Sequence, residues 1–250
     1  MPGNPKAVLK NIWDAFSGIV FPASCAVCKA PLPAEELFGI CPQCKEGLVQ
    51  PAEHACLACA MPIDGEVAGA GILLCGDCRI SLPPFDLTVS GMGYGGKTRE
   101  LVHRFKFQGK TGLSRFLAST LCARLYAKLH AQAAYIIVIP VPLHRKRIYA
   151  RGYNQSFLLA EEVGMALSLP VETGVLIRAK YTDPQSKQTR AERLKSIKGA
   201  FAVARPEMVE GNTVILVDDI MTTGATLAEA AKTLKKAGAK SVICAVAARA

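Results

Sequence analysis

The sequence predicts an α/β protein in which helices cover both faces of a mainly parallel sheet, preceded by a cysteine-rich zinc module. Three observations carry this. From residue 86 onward, short runs rich in Val and Ile alternate with segments whose apolar residues recur at helical spacing, the pattern of strands joined by crossover helices. Ahead of residue 80, eight cysteines fall into four Cys-x-x-Cys pairs. Half of the 250 residues are hydrophobic, which is enough for a packed core. The length suits a small module plus a larger domain. Pro83-Pro84 marks the boundary, giving residues 1–82 and 83–250 as the two expected units.

Residues 7–21 are apolar but include Asp14, and Val8, Leu9, Ile12, Trp13, Phe16, Ile19 and Val20 recur at helical spacing. An amphipathic helix docked on the protein is expected here, not a secretory signal. No apolar run reaches the length of a bilayer span. A cytoplasmic protein without a membrane span is the simplest expectation.

The cysteine pairs are Cys25-Cys28, Cys41-Cys44, Cys56-Cys59 and Cys75-Cys78. Each knuckle can place two thiolates on one tetrahedral ion, and two knuckles close a structural zinc site with no open position. Twelve residues separate the first two knuckles and fifteen the last two, spacings that suit a tandem zinc ribbon. Two structural zinc ions are therefore expected, the first on Cys25, Cys28, Cys41 and Cys44, the second on Cys56, Cys59, Cys75 and Cys78. An interleaved arrangement, first knuckle with third and second with fourth, is also open to this sequence. Disulfides do not suit a chain without an export signal. His54 reads as a surface residue, and Cys122 and Cys244, alone in apolar surroundings, as core residues.

After residue 80 the elements follow in order. Residues 86–92 read as a strand, 98–107 and 113–130 as helices, and 135–139 as a short buried strand. Residues 154–169 form a helix capped by Asn154. Residues 171–177 read as a strand, and 178–198 as a polar, basic loop with a short helix near 190–194. A fully apolar strand at 214–217, a helix at 225–237 and a strand at 241–247 complete the chain. In such sheets ligands bind at the carboxyl ends of the strands.

The net charge of +10 is unevenly spread. Residues 1–96 carry 5 basic and 9 acidic side chains, 97–130 carry 8 and 1, 131–200 carry 11 and 5, and the last fifty carry 6 and 5. The positive field belongs to the middle of the chain and favours phosphate-bearing partners.

The most informative stretch is Val214-Ile215-Leu216-Val217-Asp218-Asp219-Ile220-Met221-Thr222-Thr223-Gly224-Ala225-Thr226. A buried strand runs into two carboxylates, then a small hydroxyl-rich loop opens a helix. Backbone N–H groups, three threonine hydroxyls and the helix N-terminus suit a phosphate. The carboxylates suit sugar hydroxyls or hydrated Mg²⁺. A sugar phosphate satisfies both halves. A competing pattern is Gly91-Met92-Gly93-Tyr94-Gly95-Gly96-Lys97-Thr98, which fits the P-loop spacing between a strand and a helix. With Asp218 or Asp219 on a metal, it would make the chain a zinc-containing ATPase.

The thirteen-residue stretch closely resembles the phosphoribosyl-diphosphate (PRPP) binding motif of type I phosphoribosyltransferases. The resemblance implies that Asp218 and Asp219 hold the ribose 2- and 3-hydroxyls. It assigns the 5-phosphate to Thr222, Thr223, Gly224, Ala225 and Thr226, with Met221 also among the PRPP-binding residues. Further segments are similar to the ComF family of competence-associated proteins. They are the tandem knuckles, Phe21-Pro22, Tyr94, Phe105-Lys106, Pro140-Val141-Pro142-Leu143-His144-Arg145, Arg151-Gly152-Tyr153-Asn154-Gln155-Ser156 and Lys198-Gly199-Ala200-Phe201. The family's basic flap pattern stands here as Arg178-x-Lys180-x-Thr182-x-x-Gln185, with lysine in place of an arginine fork.

That resemblance implies a type I phosphoribosyltransferase-like domain behind a double zinc ribbon. Leu143, His144, Arg145 and Lys146 would form a pyrophosphate loop. Arg178, Thr182, Gln185 and Arg193 would belong to a flap closing over it. It further implies a competence factor that binds PRPP with Mg²⁺ and single-stranded DNA during natural transformation. The alternative within the same resemblance is an active transferase moving phosphoribosyl to an unknown acceptor. Thiolate-rich zinc sites deepen the negative charge of the first 96 residues. The module is therefore expected to contact protein, such as a competence helicase or another DNA-uptake protein, and to leave DNA to the basic helices that follow.

Overall fold

The structure is a computed structural model and describes residues 24–33, 35–63, 72–129, 135–180 and 196–250. Two short helices lie in the cysteine-rich part, α1 (Pro42–Glu46) and α2 (Gly76–Ile80). Each begins directly after a cysteine of a knuckle. There follow β1 (Leu87–Gly93), α3 (Gly96–Phe107), α4 (Leu113–Leu129), β2 (Ile136–Pro140), α5 (Arg145–Arg151) and α6 (Gln155–Leu167). The chain ends with β3 (Leu176–Arg178), β4 (Phe201–Val203), β5 (Thr213–Met221), α7 (Ala225–Lys236) and β6 (Ser241–Arg249).

The main sheet is parallel throughout, in the order β1-β6-β5-β2. Its central strands are apolar on both faces, as a sheet covered on both sides requires. In β5, Ile215 and Val217 join a core that includes α3, α4 and α6 residues such as Leu101, Leu121 and Leu159. Val214 and Leu216 face the opposite core, built with Leu227, Ala230, Ala231 and Leu234 of α7. The expected layer arrangement is thus present. Asn154 caps α6 as the sequence indicates, its side chain accepting the Ser156 amide at 3.1 Å.

The cysteine-rich part is built into this architecture. Cys25, Cys41 and Cys44 belong to the core on the α4 side, whereas Cys56, Cys59 and Cys78 belong to the core on the α7 side. Between them the module runs along the outer edge of β1. Thr88 N–H donates to the Leu57 carbonyl at 3.3 Å and Gly93 N–H to the Val49 carbonyl at 3.0 Å. These bonds satisfy backbone groups of an edge strand that would otherwise invite pairing with other chains.

Two expectations are corrected and one element is added. Residues 171–177 do not form one strand. Val171 makes a single parallel bridge to Val138, Gly174 turns the chain at φ +73°, and β3 then pairs antiparallel with β4. β5 does not end ahead of the acids, because β6 pairs with it as far as Met221 opposite Arg249. Residues 145–151 form α5, a helix that buries no residue and so shows no apolar periodicity. The expected helices at 7–21 and 190–194 lie outside the described residues. Among those residues, no helix is long and apolar enough to cross a membrane.

Candidate functional site

The acid pair lies at the carboxyl end of β5, where two helices deliver polar groups to it. Asp218 is half-buried, and Asp219 is 4% exposed. Ser156, in the first turn of α6, donates its hydroxyl to Asp218 Oδ1 at 2.8 Å. Lys106, in the last turn of α3, holds Asp219 at 3.2 Å from Oδ1 and 3.0 Å from Oδ2. That end of α3 is fixed in turn by Tyr153, whose hydroxyl donates to the Phe105 carbonyl. The family resemblance includes Phe105-Lys106 and Asn154-Gln155-Ser156 but assigns none of them a contact. Only the contacts of Lys106 and Ser156 with the acids of β5 reveal their roles.

Shifted titratable groups gather at this point. Burial, reinforced by the charge of Asp219, pushes the Asp218 carboxyl up to about 7, against the opposing pull of Lys106 and Ser156. Arg178 is brought down to about 10 by burial and by neighbouring Arg147, while Asp218 pulls the other way. Burial likewise lowers Arg151, against the charges of Asp219 and Asp218. The guanidinium groups of Arg151 and Arg178 are thus gathered near two acids, at a cost in solvation. Shifted groups concentrated in one place are a property of binding sites.

Beyond the acids, Met221 is buried and Thr222 exposed, and Thr223 and Gly224 lead into α7. Gly224 is the N-cap at φ +75°, and a Cβ there would lie 2.6 Å from Met221 Cε. Glycine is therefore required both by the left-handed backbone and by the close side chain. The Ala225 amide donates to Thr223 Oγ1 at 3.4 Å, and Thr226 lies partly exposed in the first turn of α7. Orphan N–H groups at a helix start, with hydroxyls beside them, form an anion cradle.

The segment after β2 continues the site. Val141 N–H donates to the Val217 carbonyl at 2.9 Å, and Asn154 Nδ2 donates to the Val141 carbonyl at 3.1 Å. Leu143 and His144 are half-buried, His144 caps α5 by accepting the Lys146 amide at 3.3 Å, and Arg145 and Lys146 are exposed. Arg178 stacks over Phe201 at 5.4 Å. Thr182, Gln185 and Arg193 lie outside the described residues.

The P-loop reading is not supported by the geometry. A Cβ on Gly93 would lie 2.7 Å from Val49 Cγ1, and one on Gly47 would lie 2.6 Å from Lys97 Cδ. Lys97 donates to the Gln43 carbonyl at 3.2 Å, and Thr98 is buried with its hydroxyl accepting the Val49 amide at 2.9 Å. Close packing of the module explains Gly93, and the lysine and threonine are engaged there.

The cysteines form two separate groups, Cys25-Cys28-Cys41-Cys44 and Cys56-Cys59-Cys75-Cys78, each with its sulfurs within 4.8 Å of one another. This excludes the interleaved pairing. The Cys28–Cys41 and Cys59–Cys75 sulfurs lie 3.6 Å apart. A tetrahedron with Zn–S bonds of about 2.3 Å has an edge of about 3.8 Å, whereas a disulfide brings sulfurs to about 2.05 Å. The two four-cysteine groups fit two structural zinc ions. His54 is exposed and belongs to neither group. Cys122 and Cys244 are buried in the core, as expected.

Comparison with known proteins agrees with this geometry. Residues 154–250 match the family model of the phosphoribosyl transferase domain, and residues 16–79 match that of the double zinc ribbon domain. The chain is 30% identical over 226 residues to the DNA utilization protein YhgH of Salmonella typhi, covering 90% of this chain and 96% of that protein. It is 35% identical over 172 residues to competence protein F of Haemophilus influenzae, covering 67% and 75%. It is 29% identical over 205 residues to competence protein ComFC of Bacillus subtilis, covering 80% and 79%. With a double zinc ribbon built onto a phosphoribosyltransferase-type sheet, and relatives of this kind along nearly its whole length, the chain belongs to the ComF family.

Proposed function

We propose that the chain is a cytoplasmic factor that binds PRPP and single-stranded DNA in the uptake or use of incoming DNA. The observation that carries the first half is the junction of β5 and α7. There Asp218 and Asp219, held by Ser156 and Lys106, stand beside the loop of Thr222, Thr223 and Gly224. The acids suit the ribose 2- and 3-hydroxyls, and the loop and helix start suit the 5-phosphate. Arg147 and Arg178 supply positive charge for the pyrophosphate, with Mg²⁺ as its counter-ion.

The DNA half is supported by the relatives' names, which refer to competence and DNA utilization, and by the surface next to the site. On α5, exposed Arg145 and Lys146 neighbour Tyr149, which is 91% exposed. At the end of α3, exposed Phe107 carries Arg151 over its ring at 4.8 Å. Basic groups interleaved with aromatic faces suit a single strand with unstacked bases. A helicase or another DNA-uptake protein is the proposed partner of the acidic module.

Calorimetric titration with PRPP and Mg²⁺, run beside ATP and Mg²⁺, tests the reading. PRPP binding that Asp219→Asn abolishes and ATP does not reproduce supports it. ATP binding that survives in Asp219→Asn overturns it. Pyrophosphate released on addition of a nucleobase moves the reading to a transferase with that base as acceptor.

A further inference from the structure

Arg249 closes β6 and is 6% exposed, yet it is charged, and its guanidinium is held by backbone carbonyls. Its guanidinium donates from Nε to the Cys59 carbonyl at 2.8 Å, and from Nη1 to the Met221 carbonyl at 3.0 Å and the Thr222 carbonyl at 2.7 Å. It also donates to the Ala250 carbonyl. One planar group therefore spans a cysteine knuckle and the first residues of the phosphate loop. A guanidinium holds its donors in a fixed fork, so it fixes the distance between the carbonyls it joins. A buried cation needs all of these acceptors in place.

On the knuckle side the geometry is tight. The Cys56 amide donates to the Met61 carbonyl at 2.8 Å and the Ala60 amide to the Cys56 carbonyl at 2.7 Å, with Ala60 left-handed at φ +54°. Four thiolates on one ion hold such a turn; four unligated thiols are free to rotate apart. A cavity of about 590 Å³ separates Thr223, Gly224 and Ala225 from Cys75, Cys78 and Leu82. The first four-cysteine cluster packs into the core on the other face of the sheet, with α3 and α4 residues.

We infer that Arg249 is a positioning residue that transmits the geometry of the second four-cysteine cluster to the phosphate loop, so that metal at that cluster, and not at the first, sets the affinity for a sugar 5-phosphate. The inference rests on the sugar-phosphate reading of the loop. Coupling between two sites is reciprocal in binding free energy. A ligand on the loop must therefore tighten metal at Cys56, Cys59, Cys75 and Cys78.

The test uses the full chain with both zinc ions and ribose 5-phosphate as the probe. Zinc affinity is measured by competition with a chromogenic chelator, with and without saturating ribose 5-phosphate. One ion of the two is expected to be held about tenfold more tightly, within the usual range of coupled sites, and the other unchanged. In Arg249→Gln the two ions remain, the ligand binds about tenfold more weakly, and the coupling disappears, as expected when charge-assisted bonds are lost. Should that variant fail to fold, the wild-type titration decides by itself. Intact ribose 5-phosphate binding that shifts neither ion, or both equally, overturns the inference alone. No ribose 5-phosphate binding to the wild-type protein overturns the site reading and this inference with it.

Discussion

Lys106 Nζ stands 3.0 Å from Asp219 Oδ2, so the last turn of α3 supplies the counter-charge for the second acid of β5. The Asp219 side chain is only 6% exposed and that of Lys106 is 28% exposed. Removing one partner of such a pair leaves a buried charge without compensation. Lys106→Met is expected to lower unfolding free energy by about 2 kcal/mol, below the full cost of a buried pair because the lysine reaches solvent. Urea denaturation measures it. A change under about 0.5 kcal/mol, the scale of an exposed pair, would show that Asp219 does not depend on this lysine.

Asp218 gives a pH signature. Its carboxyl is raised from 3.8 to about 7 in the folded chain, so the folded state binds the proton that the unfolded state has already lost. The stabilising contribution of that proton is complete below the unfolded value, falls as pH rises, and is gone above about 7. The slope is about 1.4 kcal/mol per pH unit in that window. Asp218→Asn should therefore be more stable than wild type at pH 8, with a gain about 1 kcal/mol larger than at pH 6 and no further rise to about pH 9. A gain independent of pH would mean that the acid titrates in its ordinary range.

Arg178 separates the two ends of the ligand. It lies in β3, close to Arg147 and Asp218, on the side proposed for pyrophosphate. Arg178→Met is expected to weaken PRPP binding by about tenfold or more, the loss of a charge-assisted contact. Ribose 5-phosphate, which lacks the pyrophosphate, should bind the variant nearly as well as wild type. Equal losses for both ligands would place Arg178 on the sugar and not on the diphosphate.

Gly93 and Lys97 distinguish packing from nucleotide binding. Gly93→Val drives a side chain into Val49 Cγ1 and the Gln50 carbonyl and should cost about 2 kcal/mol of stability by overpacking. Lys97→Ala removes a bond to the Gln43 carbonyl and should leave PRPP affinity unchanged. Loss of nucleotide binding in Lys97→Ala, at unaltered stability, would restore a phosphate role to this segment.

Zinc removal is expected to destabilise more than the module. Cys25, Cys41 and Cys44 share one core with Leu101 and Leu121, and Cys56, Cys59 and Cys78 share the other with Leu216 and Leu234. Chelation should therefore broaden and lower the single thermal transition of the whole chain, with two zinc ions released per chain. A β-sheet domain melting at its original temperature after metal loss would show the two parts to be independent.

How much is legible in the sequence depends on how local the cause is. The knuckles, the Asn154 cap and the apolar run of 214–217 into the acids are written in neighbouring residues, and each stands close to its expected place. Helix α5 is not legible, because it buries nothing and carries no apolar period. The strand expected at residues 171–177 breaks at Gly174, whose left-handed backbone outweighs the β-branched residues around it. Gly91 and Gly93 of the P-loop-like pattern are legible as glycines, but not the reason for them, which is Thr120 and Val49 packed against β1.

The sequence alone determined the chemistry available: eight thiolates in pairs, two adjacent carboxylates after an apolar strand, and a threonine-rich turn into a helix. These rest on covalent neighbours and on strand or helix period, which a short stretch of chain settles. Tertiary structure decided which cysteines share an ion, which cation faces Asp219, and that Arg249 joins Thr222 to Cys59, a residue 190 positions before it in the chain. Contacts of that kind exist only once the sheet has brought its strand ends together, because nothing in the local sequence fixes the distance between residues so far apart.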